Sequence, residues 1–191
     1  MSNGILLYAQ ITRQDYIHTV FFELANKARE LSEKLDNAPV MAVIFTKPDM
    51  LKNYEEGFKN SGIDKVFVFE SEKFKTYSTE TYTNLIVDLV REIDPDIFLI
   101  GATNQGRDLA PRISSALKTG LTADCTGLDI NEKGLLAATR PTFGGQLMAT
   151  ILCKTKPQMA TVRPKVLKPA QEIHYKDTEF IYKEVKPEDI I

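Results

Sequence analysis

The residue types that could hold a phosphate are concentrated in Gly101-Ala102-Thr103-Asn104-Gln105-Gly106-Arg107. This stretch leaves an apolar run, Ile97-Phe98-Leu99-Ile100, that reads as a strand, and it enters a helical pattern. Ligands of open α/β sheets bind at such strand ends, near the topological switch point. Gly101 and Gly106 would let the backbone approach an anion, with Thr103, Asn104 and Arg107 grouped around it. A plain structural use fits the same residues. Asp108 suits an N-cap, which puts Pro111 in the first turn, where its missing N–H is harmless. The spacing is neither a Walker loop nor Gly-x-Gly-x-x-Gly, so as a generic phosphate signal it is weak.

Two further arginines sit beside turn signals. Arg140 opens Arg140-Pro141-Thr142-Phe143-Gly144-Gly145, a hairpin connection in which paired glycines supply positive φ. Arg163 closes Pro157-Gln158-Met159-Ala160-Thr161-Val162-Arg163-Pro164 against a proline. Neither turn needs an arginine, so both residues are candidates for a surface facing a partner.

Nucleophilic and metal chemistry find little support. Cys153 lies in an apolar strand pattern, and Cys125 follows Asp124, whose charge raises a thiol pKa. His18 falls near a helix start and His174 in the tail, with no acid paired to either. No catalytic residue and no metal ligand is assigned. The 24 basic and 26 acidic residues give a net charge of −2, which argues against a nucleic-acid partner. No basic leader or transit peptide precedes the first apolar segment. The longest apolar run, Val40 to Phe45, is far short of the roughly 20 residues of a membrane span. A cytoplasmic protein without membrane insertion is expected, or a mitochondrial-matrix one in a eukaryote.

Elements able to position these residues alternate along the first 120 positions. Ile5–Tyr8, Val40–Phe45, Lys65–Phe69 and Ile97–Ile100 read as strands, continuous in apolar character as in a parallel sheet covered on both faces. Between them, Val20, Phe21, Leu24, Ala28, Leu31 and Leu35 recur at helical spacing, and so do Leu85, Ile86, Leu89, Val90 and Ile93. Pro48 suits the start of a helix running to about Asn60. After Gly120 come strand candidates at Cys125–Ile130, Leu135–Thr139, Gln146–Cys153 and Met159–Val162 with no helix between them, expected as antiparallel additions at a sheet edge. The expectation is a doubly wound α/β domain over residues 1–165. Residues 166–191 read as a linker or tail with one more strand candidate, Phe180-Ile181-Tyr182.

Taken together, four ordered blocks resemble the alpha subunit of electron transfer flavoproteins. They are Gly101 through Arg112, Thr119 through Cys125, Arg140-Pro141 with Gly144-Gly145, and Pro157 through Pro164. The resemblance runs from Ile5 to about Pro169 and implies an adenine nucleotide alpha-hydrolase-like domain that pairs with a homologous beta subunit. In the family, FAD carries electrons from dehydrogenases to an acceptor oxidoreductase. Its flavin site lies mainly in a C-terminal domain whose motifs are not found among these 191 residues, so no FAD ligand is carried over. The resemblance thus implies a scaffold domain that is not itself an enzyme, in a heterodimer whose FAD is held elsewhere. The alternative is a nucleotide-binding enzyme or sensor using the strand-four loop. Against it, Ala9-Gln10-Ile11-Thr12 after strand one offers no glycine to an anion.

Overall fold

The computed structural model describes residues 2–191. Seven parallel strands form the main sheet. In chain order they are β1 (Ile5–Ala9), β2 (Val40–Thr46), β3 (Lys65–Glu70), β4 (Ile97–Gly101), β5 (Leu121–Cys125), β9 (Gln158–Val162) and β10 (Glu179–Lys183). Their spatial order is β10-β3-β2-β1-β4-β9-β5. Strands β6 (Gly127–Ile130), β7 (Leu136–Thr142) and β8 (Leu147–Leu152) make a separate antiparallel sheet.

Side-chain alternation divides the core in two. Ile5, Leu7, Ile97 and Leu99 point to one face, where α1 (Val20–Glu33) and α2 (Glu55–Asn60) bring Phe21, Leu24 and Phe58. Leu6, Tyr8, Phe98 and Ile100 point to the other, where α3 (Thr79–Ile93) and α4 (Asn104–Leu117) bring Leu85, Ile86, Leu89, Leu109 and Ile113. Because both faces are covered, every residue of β1, β2 and β4 is buried. The doubly wound α/β fold is therefore present, and the sheet reverses its winding between β1 and β4.

Some boundaries differ from expectation. No helix starts at Pro48: Asp49 adopts φ +63, so the chain turns there and α2 begins only at Glu55 after a short 3-10 turn, Leu51–Asn53. The run expected as one strand, Cys125–Ile130, is split, with Cys125 ending β5 in the main sheet and Gly127 opening β6. Met159–Val162 was expected among the antiparallel strands. Instead β9 lies inside the main sheet, parallel to both β4 and β5. The tail also returns to the body, since β10 pairs in parallel with β3.

A buried carboxylate fastens the amino-terminal edge. Asp96 accepts Ser2 Oγ at 2.5 Å and the Asn3 amide at 2.6 Å, and it pairs with Lys156. Burial pushes its pKa upward, but the bonds from Lys156, Ser2 and Asn3 outweigh burial and hold it below the usual value. A depressed carboxyl pKa contributes stability above its unfolded value that is lost as pH falls through the folded one. The melting temperature should therefore drop as pH is lowered below about 4, the ordinary carboxylate value. Asp96→Asn should flatten that slope and cost about 2 kcal/mol at neutral pH. Thermal melts from pH 7 to 3 would show both effects.

Candidate functional site

The carboxyl ends of β1, β4, β9 and β5 converge on the region the sequence singled out. The cap of α4 is Thr103, not Asp108: Thr103 has extended backbone, and its Oγ1 accepts the Gly106 amide at 3.0 Å. Pro111 consequently lies inside α4 rather than in its first turn. Asp108, one turn further along, joins helices by accepting Tyr77 Oη at 2.8 Å and Thr79 Oγ1 at 2.6 Å. Thr103→Ala should cost about 1 kcal/mol of stability, read as a shift of the urea midpoint at constant slope.

The two glycines serve packing. A Cβ on Gly106 would stand 1.9 Å from the carbonyl oxygen of Gly101, and one on Gly101 would stand 2.3 Å from Val20 Cγ1. Each absent side chain is thus space filled by the protein itself. The switch point is likewise closed by side chains, since Thr103 Oγ1 donates to Gln10 Oε1 at 2.6 Å. Behind it, Gln105 Nε2 donates to the buried Tyr8 hydroxyl at 2.6 Å. Thr103 spends its hydroxyl on a cap and a cross-strand bond, and Asn104 is exposed.

Arg107 bonds back to the loop and also reaches out of it. Its Nε donates to the Ala102 carbonyl at 3.1 Å, and its Nη2 reaches Asp124 Oδ1 at 3.1 Å. Arg163 meets the same carboxylate through Nη2 to Oδ2 at 2.6 Å and Nε to Oδ1 at 3.3 Å. The bond from Arg163 lowers the Asp124 pKa first; burial opposes it, and the charges of Arg163, Arg107 and Arg140 add to the lowering. Two of the three singled-out arginines therefore bond one aspartate, and the charge of the third, Arg140, also acts on it. Asp124 holds φ +61 at an irregular step in the β5–β9 register, with its amide bonded to Thr161 Oγ1 at 2.8 Å. A shallow cavity of about 200 Å³ opens here, lined by Arg107, Pro111, Leu121, Ala123, Asp124 and Thr161.

Glu23 of α1 also belongs to this corner, a residue the sequence analysis did not single out. Glu23 is 5% exposed and accepts the Lys165 amide with both carboxylate oxygens, at 2.9 and 3.1 Å, pinning the chain just beyond Arg163. An acidic residue on a helix carries no sequence sign of a backbone partner 142 residues away. His18 accepts the Val20 amide through Nδ1 at 3.2 Å, a helix-start role. Burial pushes the Cys125 thiol up to about 11, with Arg140 lowering it and Asp124 raising it. Among the described residues no group of three His, Cys, Asp or Glu could hold a metal ion, and no helix is long and apolar enough to cross a membrane.

Beyond this corner projects the β7–β8 ribbon. Phe143 at its tip is 78% exposed, and Leu147 and Met148 follow at 59% and 58%. Ile151 and Leu152 are exposed too, so β8 carries an apolar sequence with little cover on either face. Arg140 lies on β7 opposite Ala149, and its Nε is buried with no acceptor among the described residues. Cross-strand register puts Arg140 on the ribbon face of Leu147, Ala149 and Ile151.

Comparison with known proteins follows the same lines. A family model described as "Electron transfer flavoprotein domain" matches residues 5–187. An electron transfer flavoprotein subunit alpha from Thermoanaerobacterium thermosaccharolyticum is 48% identical over 159 residues, covering 83% of this chain and 47% of the relative. Protein FixB of Clostridium saccharobutylicum is 42% identical over 165 residues, covering 85% and 48%. The lactate dehydrogenase (NAD(+),ferredoxin) subunit LctC of Acetobacterium woodii is 40% identical over 177 residues, covering 90% and 40%. The chain spans about half the length, or less, of these curated relatives.

Proposed function

The chain belongs to the electron transfer flavoprotein family, and from that premise we propose that it is the scaffold domain of an alpha subunit, an electron-carrier part rather than an enzyme. Its task is to pair with a beta subunit and so form the base on which a flavin-holding domain sits. The observation that carries this reading is the apolar β7–β8 ribbon. Phe143, Leu147, Met148, Ile151 and Leu152 lie uncovered in one hairpin, and such contiguous apolar surface marks a protein interface. An isolated domain gains nothing from leaving it bare.

Flavin chemistry enters through the complete assembly. FAD would supply one- and two-electron carriage between a dehydrogenase and an acceptor oxidoreductase. In support of this reading, the Thr103 hydroxyl is bonded to Gln10 and Gly106 packs against the Gly101 carbonyl, both contacts within the protein itself. The contribution of these residues is therefore architectural. Residues 1–165 form the body of the domain on this reading, and 166–191 lead onward toward the flavin domain after laying β10 on the sheet.

The test is a light-scattering measurement on the chain alone and mixed with the beta subunit of the same organism, with an absorbance scan from 300 to 550 nm. The expected result is a colourless chain that forms a one-to-one complex. A yellow chain would move the flavin site into these residues. A mixture that stays at the mass of the separate proteins would remove the scaffold reading.

A further inference from the structure

The β7–β8 ribbon has a charged corner whose chemistry specifies what must cover it. Arg107 and Arg163 both bond Asp124, so its two oxygens are already engaged. Arg140 is a third guanidinium in the same field, and its buried Nε lacks an acceptor among the described residues. The corner thus holds three guanidiniums against two carboxylates, Asp124 and Glu23, and Arg140 alone among the three has no bond to an acid. Asp129 is paired with Lys34, the cap residue that ends α1, and Glu23, bonded only to the neutral Lys165 amide, keeps its charge, so one positive charge is left over.

We propose that this corner is a socket for an Asp or Glu side chain of the beta subunit, with Arg140 as its principal donor. The inference rests on reading the ribbon as the subunit interface. Arg140 shares a ribbon face with Leu147 and Ile151, so a partner seated on those apolar residues also covers the guanidinium. Covering it without an acid would bury an uncompensated charge, which costs far more than a satisfied pair. A guanidinium fork matches the two oxygens of a carboxylate. The adjoining cavity is small, and Pro111, Leu121 and Ala123 make part of its wall apolar, which suits a side chain better than a solvated free anion. Asp124, held in a left-handed conformation, fixes Arg107 and Arg163 before the partner arrives.

Titration calorimetry of the intact chain with the beta subunit tests this. Arg140→Ala should weaken pairing about 30-fold or more. Arg140→Lys, which keeps the charge but loses the fork, should fall between. The weakening caused by added salt should be smaller for Arg140→Ala than for the wild type. Melting of the free variants should be unchanged, because Arg140 has no partner there to lose; if Arg140→Ala melts early, Arg140→Lys carries the comparison. Leu147→Asp serves as the interface control. If it abolishes pairing while Arg140→Ala stays within twofold, the socket is overturned and the ribbon interface stands. If neither changes affinity, both readings fall. Tight binding of inorganic phosphate to the free chain, lost in Arg140→Ala, would reassign the corner to a free anion and also overturn the socket.

Discussion

Gly106→Ala should destabilise the chain by about 3 kcal/mol or more, although it places the best helix former inside a helix. On propensity alone the change would stabilise α4 by roughly 1 kcal/mol. The new Cβ, however, would stand 1.9 Å from the Gly101 carbonyl oxygen and 3.1 Å from Ile100 Cγ2. Neither the backbone oxygen nor buried Ile100 can swing away, so α4 must lift from β4. That movement would also pull Thr103 from Gln10 and Arg107 from Asp124. Gly57→Ala supplies the contrast. Its Cβ would meet Phe22 at an ordinary 3.5 Å, and the substitution should stabilise by up to about 1 kcal/mol. Urea unfolding of the two variants would give shifts of opposite sign. A stabilised Gly106→Ala would mean that the glycine is there for a ligand's approach instead.

Leu147→Asp should weaken pairing with the beta subunit by about 100-fold, the loss typical of a hot-spot position. Leu147 is 59% exposed in the free chain, so the same change should leave its stability within about 0.5 kcal/mol. The two readouts separate because the cost arises only on assembly, when a carboxylate replaces an apolar anchor and must be desolvated. Calorimetric titration and a thermal melt of the free variant would measure them. Equal losses in both would make Leu147 a residue of the domain's own packing.

The sequence made the sheet legible wherever burial is uniform. Ile5–Tyr8 and Ile97–Ile100 read as continuous apolar runs because helices cover both faces, and α1 and α3 showed themselves by period. Tertiary choices did not show. Thr103 and Asp108 are both capping residues, and only the chain path decides which begins α4. Inserting β9 between β4 and β5 is a crossover that no local pattern encodes. Leu147, Met148, Ile151 and Leu152 spell a core strand in composition, yet they lie uncovered, since apolar periodicity cannot tell a domain core from an interface.

The candidate site was half visible for the same reason. Arg107, Arg140 and Arg163 each stood out beside a turn, but Asp124 was noticed only as the neighbour of Cys125. Its meeting with Arg107 and Arg163 spans 17 and 39 residues. Gly106 stands against the Gly101 carbonyl, a use the sequence could not show, because a glycine that admits a ligand and one that admits a carbonyl look alike in sequence.

Hydrogen exchange of the chain, alone and saturated with the beta subunit, locates the interface directly. If the ribbon is the pairing surface, amides of β7 and β8 from Thr139 to Leu152 should exchange more slowly in the complex. Those of β10, at the far edge of the sheet, should not change. Protection confined to β10 and the α3 side, with β8 exchanging as freely as in the isolated chain, would contradict the assignment of this domain as a scaffold built around its exposed ribbon.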